Sequence, residues 1–487
     1  MKQTALIVKT AFFLLLLSTT LTARDVPGER KDYPSLLDSY MQAQAEIYKF
    51  NGNVLVARDG RVVYQKSFGY ANYDTKERLD ENDLFDSGSI GKQFTALSIL
   101  QLKEKGKLSF DDTLQKFFPE LPYPGVTIRQ MLTHTSGLPE YFDLAVKKWD
   151  LQKVANNQDV IRLLANEKPP VFFKPGEDVK YSNTSFTLLA SIIEKVSGQS
   201  WTEYITEHVL KPLAMTNSKA YNTRIAGKAP VPGIVYGFLY SDIAKKYVLP
   251  ESLPQYKGIH AFDDIYGGGG IDMSAGDILK WDRALKNHTL ISEATQNEML
   301  SLQSTTNSTS PPISFGYGLT VGKNEFGNFF FSTGHWPGFR SMFIRYIDAD
   351  VTAIALSNNE SQSEYIADGL AAILMNKNIE KPYVHKEIQI NASTLDKYTG
   401  RYLMTKLKQY YMITWPTAII KKENKLFLHL EGSPDKDDIE LKPESATKFF
   451  YADGTDRQIE FETDAAGRPV KVWQITWGVR KDVRRAD

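Results

Sequence analysis

The 487-residue sequence contains no cysteine. That excludes thiol nucleophiles, iron–sulfur clusters, cysteine-ligated zinc, disulfides and a lipid-modified cysteine at a signal junction. Histidine is scarce, with seven residues scattered along the chain. No His-x-His or His-Glu-x-x-His pair occurs among them, so no metal-binding pattern is written in the sequence. Neither sign of charge is in excess, since 58 basic side chains balance 58 acidic ones. Such a balance favours neither nucleic acid nor an anionic membrane surface as partner. Beyond the first 23 residues no apolar run is long enough to span a bilayer. No repeat at solenoid or propeller period is evident, and the absence of a Gly-x-Ser-x-Gly elbow argues against an α/β-hydrolase.

What is present begins with a distinct leader. Lys2 and Lys9 precede "AFFLLLL" (Ala11 to Leu17), small residues follow up to Ala23, and no acidic residue comes before Asp25. That layout is a secretory signal over residues 1–23, cleaved near Ala23, and it places the mature protein in the periplasm or outside the cell. Its removal leaves 56 basic against 58 acidic side chains, a charge of −2, and no transmembrane anchor. With 42% hydrophobic and 24% charged residues, the remainder is a globular chain with a sizeable core.

The order of patterns sets the fold class. "GNVLVARDGRVVYQKSFGYAN" (Gly52 to Asn72) carries β-rich runs on either side of Asp59-Gly60, a short hairpin signal. Helical patterns dominate from about 88 to 220. "FGNFFFSTG" and "SMFIRYIDADVTAIALSNN" read as three further strands, followed by a helix around Tyr365 to Met375. Strands at both ends with helices between them predict one antiparallel sheet closed by the N- and C-terminal segments, an α/β (α+β) domain over 24–385. From about 386 to 487, "KLFLHLEG", "TKFFYADG" and "RQIEFETDAAGRPVKVWQITWG" are short alternating strands parted by Gly and Asp turns, predicting a small all-β domain.

Three serines are followed by a lysine at the third position: Ser89/Lys92, Ser433/Lys436 and Ser445/Lys448. The second pair has a proline inside it and the third precedes a strand pattern. Only Ser89-Ile90-Gly91-Lys92 opens a helical pattern, with Ile90, Phe94, Leu97 and Leu100 at helical spacing, Asp86 or Ser87 to cap it and Gly106 to stop it. On a helix, i and i+3 share a face, and the helix start favours negative charge on the serine oxygen. Desolvation among apolar neighbours would lower the pKa of Lys92 and let it accept a proton. On motif frequency alone, a capping serine beside a surface lysine is the commoner reading, by about three to one.

Two further stretches carry chemistry. Tyr181-Ser182-Asn183 lies between a Pro-Gly turn and a helical pattern with Phe186, Leu189, Ile193 and Val196. A phenol and an amide two residues apart at a helix start can face one cleft, the first to relay a proton and the second to hold an acyl amide. Ser332-Thr333-Gly334 ends a strand pattern. Its glycine would let a substrate backbone lie against the strand edge, and the N–H of His335 would serve an oxyanion hole.

Ser-x-x-Lys, then Tyr-x-Asn about ninety residues on, then a Lys/His-Thr-Gly-like triplet on a late strand resembles the serine β-lactamase and penicillin-binding-protein superfamily. The Tyr-x-Asn version is similar to its class C β-lactamase, D-Ala-D-Ala carboxypeptidase and esterase branch. "IRQMLTHTSGLPEY", "LKPLAMTNS" and "GGGGIDMSAGDILKWDRAL" also resemble segments of that branch, so the likeness covers about 30–380. The tail from "STLDKYTGRYL" resembles the small lipocalin-like β-barrel domain often appended to such proteins. The resemblance implies a β-lactamase-like fold with a helical subdomain, and a serine hydrolase with no metal or organic cofactor. It implies Ser89 as acylated nucleophile, Lys92 as its proton acceptor and Tyr181 as proton relay. Asn183, Ser332, Thr333, Gly334 and His335 would bind substrate, a small molecule or peptide that includes peptidoglycan-derived ones. Esterase, D-Ala-D-Ala peptidase and β-lactamase activities all fit, and the alternative is a non-hydrolytic penicillin or peptidoglycan binder. One departure stands out: Ser332 occupies the position of the branch's Lys or His and supplies no cation for a substrate carboxylate, which Arg340 would have to provide instead.

Other features read as structural. His134 in "LTHTSG" fits a helix end whose dipole favours positive charge. "GSIGKQ" lacks the spacing and the following Ser/Thr of a phosphate loop. "YGGGG" (266–270) reads as a tight turn at the border of the cleft before a helix over Ser274–Leu285, and Trp336 and Tyr141 read as pocket or core aromatics.

Overall fold

The computed structural model describes residues 32–220, 232–306, 313–324, 326–377, 379–408, 411–432, 434 and 437–486. The leader over 1–23 and the Ser433/Lys436 pair lie outside the described residues. Asp59 and Gly60, both at positive φ, turn strand Gly52–Arg58 back into strand Arg61–Phe68. The right-handed twist of paired strands favours such a two-residue turn. Three late strands, Gly327–Trp336, Phe339–Tyr346 and Val351–Ser357, run antiparallel, and the last pairs with the first strand of the chain from Gly52↔Ser357 to Arg58↔Val351. The two ends of the domain therefore close one eight-stranded sheet, whose other edge is built by Thr320–Asn324, Ser314–Phe315 and Ser304–Thr305.

Side-chain alternation divides the apolar residues of this sheet between two layers. Leu55, Ala57, Phe343, Ile354 and Leu356 face the main core with helices Lys92–Glu104, Asn183–Ser197 and Ala275–Lys286. Val54, Val56, Met342, Ile344, Ala353 and Ala355 face the opposite layer, covered by helices Tyr33–Ile47 and Ser363–Leu374. The expected helices over 365–375 and 274–285 are thus present, shifted by one or two residues. Among the described residues no helix is long and apolar enough to cross a membrane.

Strands from Gly400–Lys408 through Val479–Arg485 form a closed eight-stranded antiparallel barrel, sealed by Tyr402↔Arg485 and Leu403↔Arg484. Its interior is filled by its own side chains, among them Tyr398, Tyr402, Leu428, Phe449, Ile459 and Phe461, as expected of a barrel this small. One aromatic departs from that pattern. Trp477, at the turn joining the last two strands, packs with the layer behind the sheet. Its indole stacks on Tyr365 at 4.3 Å and 3°, and its carbonyl accepts from the Tyr40 hydroxyl at 3.1 Å.

Ser445/Lys448 is a turn device. The Ser445 hydroxyl accepts from the backbone N–H of Lys448 at 3.0 Å, while the Lys448 ammonium reaches Glu380 at 2.6 Å and Tyr383 at 3.0 Å.

Candidate active site

Ser89 sits in a single 3-10 turn, Gly88–Gly91, immediately ahead of helix Lys92–Glu104. It precedes the α-helix instead of forming its first turn, and in a 3-10 turn i and i+3 nearly eclipse. The Lys92 ammonium accordingly donates to Ser89 Oγ at 3.0 Å. Of the two expected caps, Asp86 accepts from the Gly88 N–H at 2.8 Å, whereas the Ser87 hydroxyl donates elsewhere, to the Ile271 carbonyl at 2.6 Å.

Lys92 is buried. Its remaining donors go to Asn183 Oδ1 and the Gly268 carbonyl, both at 2.8 Å. Its charge lies 4.8 Å from the Tyr181 ring centroid and 5.7 Å from that of Phe186. Desolvation lowers its pKa to about 7, against an opposing pull from the Glu140 carboxylate. A substantial neutral fraction therefore exists near neutral pH, as a proton acceptor requires. The glycine-rich stretch over 266–270 does more than turn the chain, because the Gly268 carbonyl helps aim the lysine.

Asn183 opens helix Asn183–Ser197, capped by Ser182, whose hydroxyl accepts from the Ser185 N–H at 3.0 Å. The Ser182 N–H donates to His134 Nδ1 at 3.2 Å, and the His134 ring stacks on Tyr181 at 4.7 Å. His134 does occupy a helix end, in the left-handed region at φ 59°. Its expected positive charge is absent, because burial, reinforced by Lys92, lowers its pKa to about 3. A neutral imidazole accepting at Nδ1 keeps its proton on Nε2. The ring thus positions both the tyrosine and the start of the asparagine helix.

Two cavities meet at Ser89 and Tyr181. The smaller, about 20 Å³, is lined by Ser89, Lys92, His134, Tyr181, Ser332 and Thr333 among others, and has room for a single water. The larger, about 730 Å³, runs past Glu140, Asn183 and His335 to an aromatic wall that includes Phe142, Phe262 and Trp336. The His335 ring meets Glu360 at 3.2 Å. Arg340 does not replace the missing cation: it lines neither cavity and pairs with buried Glu364 at 3.2 Å.

Gly334 has a purpose other than the expected one. A Cβ there would stand 1.9 Å from the Ser87 carbonyl, so the glycine admits the nucleophile turn, not the substrate. Gly88, at φ 52°, makes the reciprocal approach, its added Cβ falling 2.5 Å from the His335 nitrogen. Backbone cannot yield as a side-chain tip can. Gly334→Ala is therefore expected to slow labelling of Ser89 by a serine-directed probe about tenfold and to lower stability by ~1–3 kcal/mol, read from labelling rate and denaturant unfolding.

Of the residues expected from sequence, Ser89, Lys92, Tyr181, Asn183, Ser332, Thr333 and His335 line the two cavities, whereas Gly334 lines neither and packs against Ser87. Sequence reasoning missed Gly268 and Glu140 and misjudged His134.

This fold is that of a known family. The chain belongs to the beta-lactamase family, whose model matches residues 37–374, and is an enzyme of that serine hydrolase superfamily. Penicillin-binding protein 4* of Bacillus subtilis (strain 168) is 36% identical over 422 residues, spanning 85% of this chain and 90% of that protein. A penicillin binding protein from Bacillus halodurans of known crystal structure is 26% identical with a TM-score of 0.60, covering 69% of this chain and 99% of that one. The octameric penicillin-binding protein homologue from Pyrococcus abyssi shares the fold over 92% of this chain and 99% of its own, with a TM-score of 0.64 and 24% identity.

Proposed function

We propose that the protein is an exported serine hydrolase that forms an acyl-enzyme at Ser89 and releases it to water. One observation carries this reading: a buried lysine with a pKa of about 7 donates its hydrogen bond, at 3.0 Å, to a serine oxygen at the floor of a large cleft. Ser89 Oγ attacks the substrate carbonyl carbon while its proton passes to neutral Lys92. The carbonyl oxygen becomes an oxyanion against the N–H groups of Ser89 and His335. As the intermediate collapses, the proton travels through Lys92 and Tyr181 to the leaving group. Water then repeats the sequence on the acyl carbon, Tyr181 taking its proton, and restores the serine.

A neutral ester or amide is favoured over a substrate with a carboxylate beside the scissile bond, since Ser332 offers no cation at that position and Arg340 is committed to Glu364, the cations of the larger cavity being Lys180 and Lys257. A short-chain ester is expected to turn over faster than nitrocefin. The second reading, a protein acylated by penicillin and slow to release it, draws on the likeness to penicillin-binding protein 4* of B. subtilis.

Mass spectrometry after incubation with a fluorophosphonate or a penicillin tests the site: mass added at Ser89 supports it, and labelling at any other serine overturns it. A burst without steady turnover on nitrophenyl esters would select the second reading. Tyr181→Phe is expected to slow steady-state ester turnover about tenfold more than labelling, the signature of a group needed chiefly to activate the second-step water. Equal losses in both would remove that role.

A further inference from the structure

A carboxylate stands at the far end of the lysine's hydrogen-bond chain. Glu140 precedes helix Tyr141–Lys148, where its Oε1 accepts from the Phe142 N–H at 3.4 Å. Its Oε2 accepts from the Asn183 backbone N–H at 3.1 Å and faces the Asn183 side-chain nitrogen at 3.4 Å. A carboxylate accepts only, so it draws the amide nitrogen of Asn183 toward itself and leaves Oδ1 as the end that meets Lys92 at 2.8 Å. Ser89, Lys92, Asn183 and Glu140 therefore form one chain of nucleophile, base, amide and acid, in which the acid lines the larger cavity.

We propose that Glu140 is a positioning residue for acyl transfer, fixing through Asn183 the orientation of Lys92 and holding part of that lysine's charge. The logic is that of any nucleophile–base pair aligned by a third group, with an amide interposed. The proposal rests on the reading of Ser89 and Lys92 given above.

The polar groups around the lysine are few, and fewer still titrate. The segment over 135–140 brings Glu140, and the preceding helix end brings His134, which is neutral. From the segment before helix Asn183–Ser197 comes Tyr181. The facing strand contributes Ser332 and Thr333, the 318–320 segment Thr320, and the glycine stretch only a carbonyl. Asp86, Asp143, Asp263, Lys180, Lys257 and His335 line only the larger cavity. Burial raises the pKa of Glu140 itself, but while it is ionised its negative charge favours the protonated ammonium and so works against the desolvation that lowers the Lys92 pKa. Removing that charge must lower the lysine's pKa further, and the acid limb of acylation must move to lower pH.

The test follows fluorophosphonate labelling of Ser89 from pH 5 to 9 in the wild type, Glu140→Gln and Glu140→Asp. Glu140→Gln is expected to displace the acid limb downward by about one pH unit and to lower the plateau about tenfold, because glutamine can also present its nitrogen to Asn183. Glu140→Asp, which keeps the charge, should retain the wild-type limb. Superimposable limbs for all three proteins, with plateau changes only, would reduce Glu140 to a structural cap and overturn the proposal. Failure of the wild type to label at Ser89 would instead overturn the reading of the site on which it rests.

Discussion

Lys92→Met is expected to slow acylation of Ser89 about a thousandfold, within the range that loss of a general base produces. Methionine has nearly the length of the lysine and none of its proton affinity. In the folded protein the ammonium has three partners, Ser89 Oγ, Asn183 Oδ1 and the Gly268 carbonyl. Its buried position brings the pKa down to about 7. Only the neutral amine takes the serine proton. Wild-type labelling should therefore rise tenfold per unit up to about pH 7 and then level, a limb that the methionine variant lacks. The measurement is the time course of probe incorporation at Ser89, with a melting curve to establish that the variant is folded. A variant labelling within tenfold of wild type, at every pH, would show that some other group accepts the proton.

Trp477→Ala should produce the largest loss of stability, ~3–5 kcal/mol for removing a buried tryptophan. The side chain belongs by sequence to the barrel and by packing to the layer behind the main sheet, flat against Tyr365. Two hydrogen bonds reinforce the junction: the Glu380 N–H donates to the Gly478 carbonyl at 2.9 Å, and the Tyr40 hydroxyl donates to the Trp477 carbonyl at 3.1 Å. Denaturant unfolding followed by fluorescence and by hydrolase labelling should show both signals shifting together. Trp477→Phe, which keeps an aromatic face for Tyr365, should recover more than half of the loss. An unchanged midpoint for the alanine variant would mean that the barrel contributes nothing to the stability of the body.

The sheet was legible because alternation is a local property: Val54 and Val56 on one face and Leu55 and Ala57 on the other can be read from the sequence alone. The same holds for the Ser89–Lys92 spacing and for Tyr181 and Asn183 at a helix start. What escaped is long-range. Nothing in "SGLPEY" announces that Glu140 will meet an amide 43 positions later, nor in "YGGGG" that a carbonyl will reach back 176 positions to a lysine. His134 was misjudged for a different reason. A helix end does attract positive charge, but that attraction is about 1 kcal/mol, and burial beneath Tyr181 outweighs it. Gly334 was marked for the approach of a substrate backbone, whereas what approaches it is the Ser87 carbonyl, a contact that depends on tertiary packing.

The turn bearing Ser89 is flanked by main chain on several sides. Gly334 abuts Ser87, Gly269 lies beside Gly91, and Gly318 lies against the Lys92 carbonyl, where an added Cβ would fall 2.7 Å away. Randomising these positions in a laboratory-evolution library should yield mostly inactive clones. New substrate preferences should be recovered instead from the aromatic rim, at Phe142, Phe172, Tyr256 and Trp336. This geometry separates the machinery that breaks the bond from the surface that chooses which bond to break, so selectivity can drift while the chemistry stays fixed.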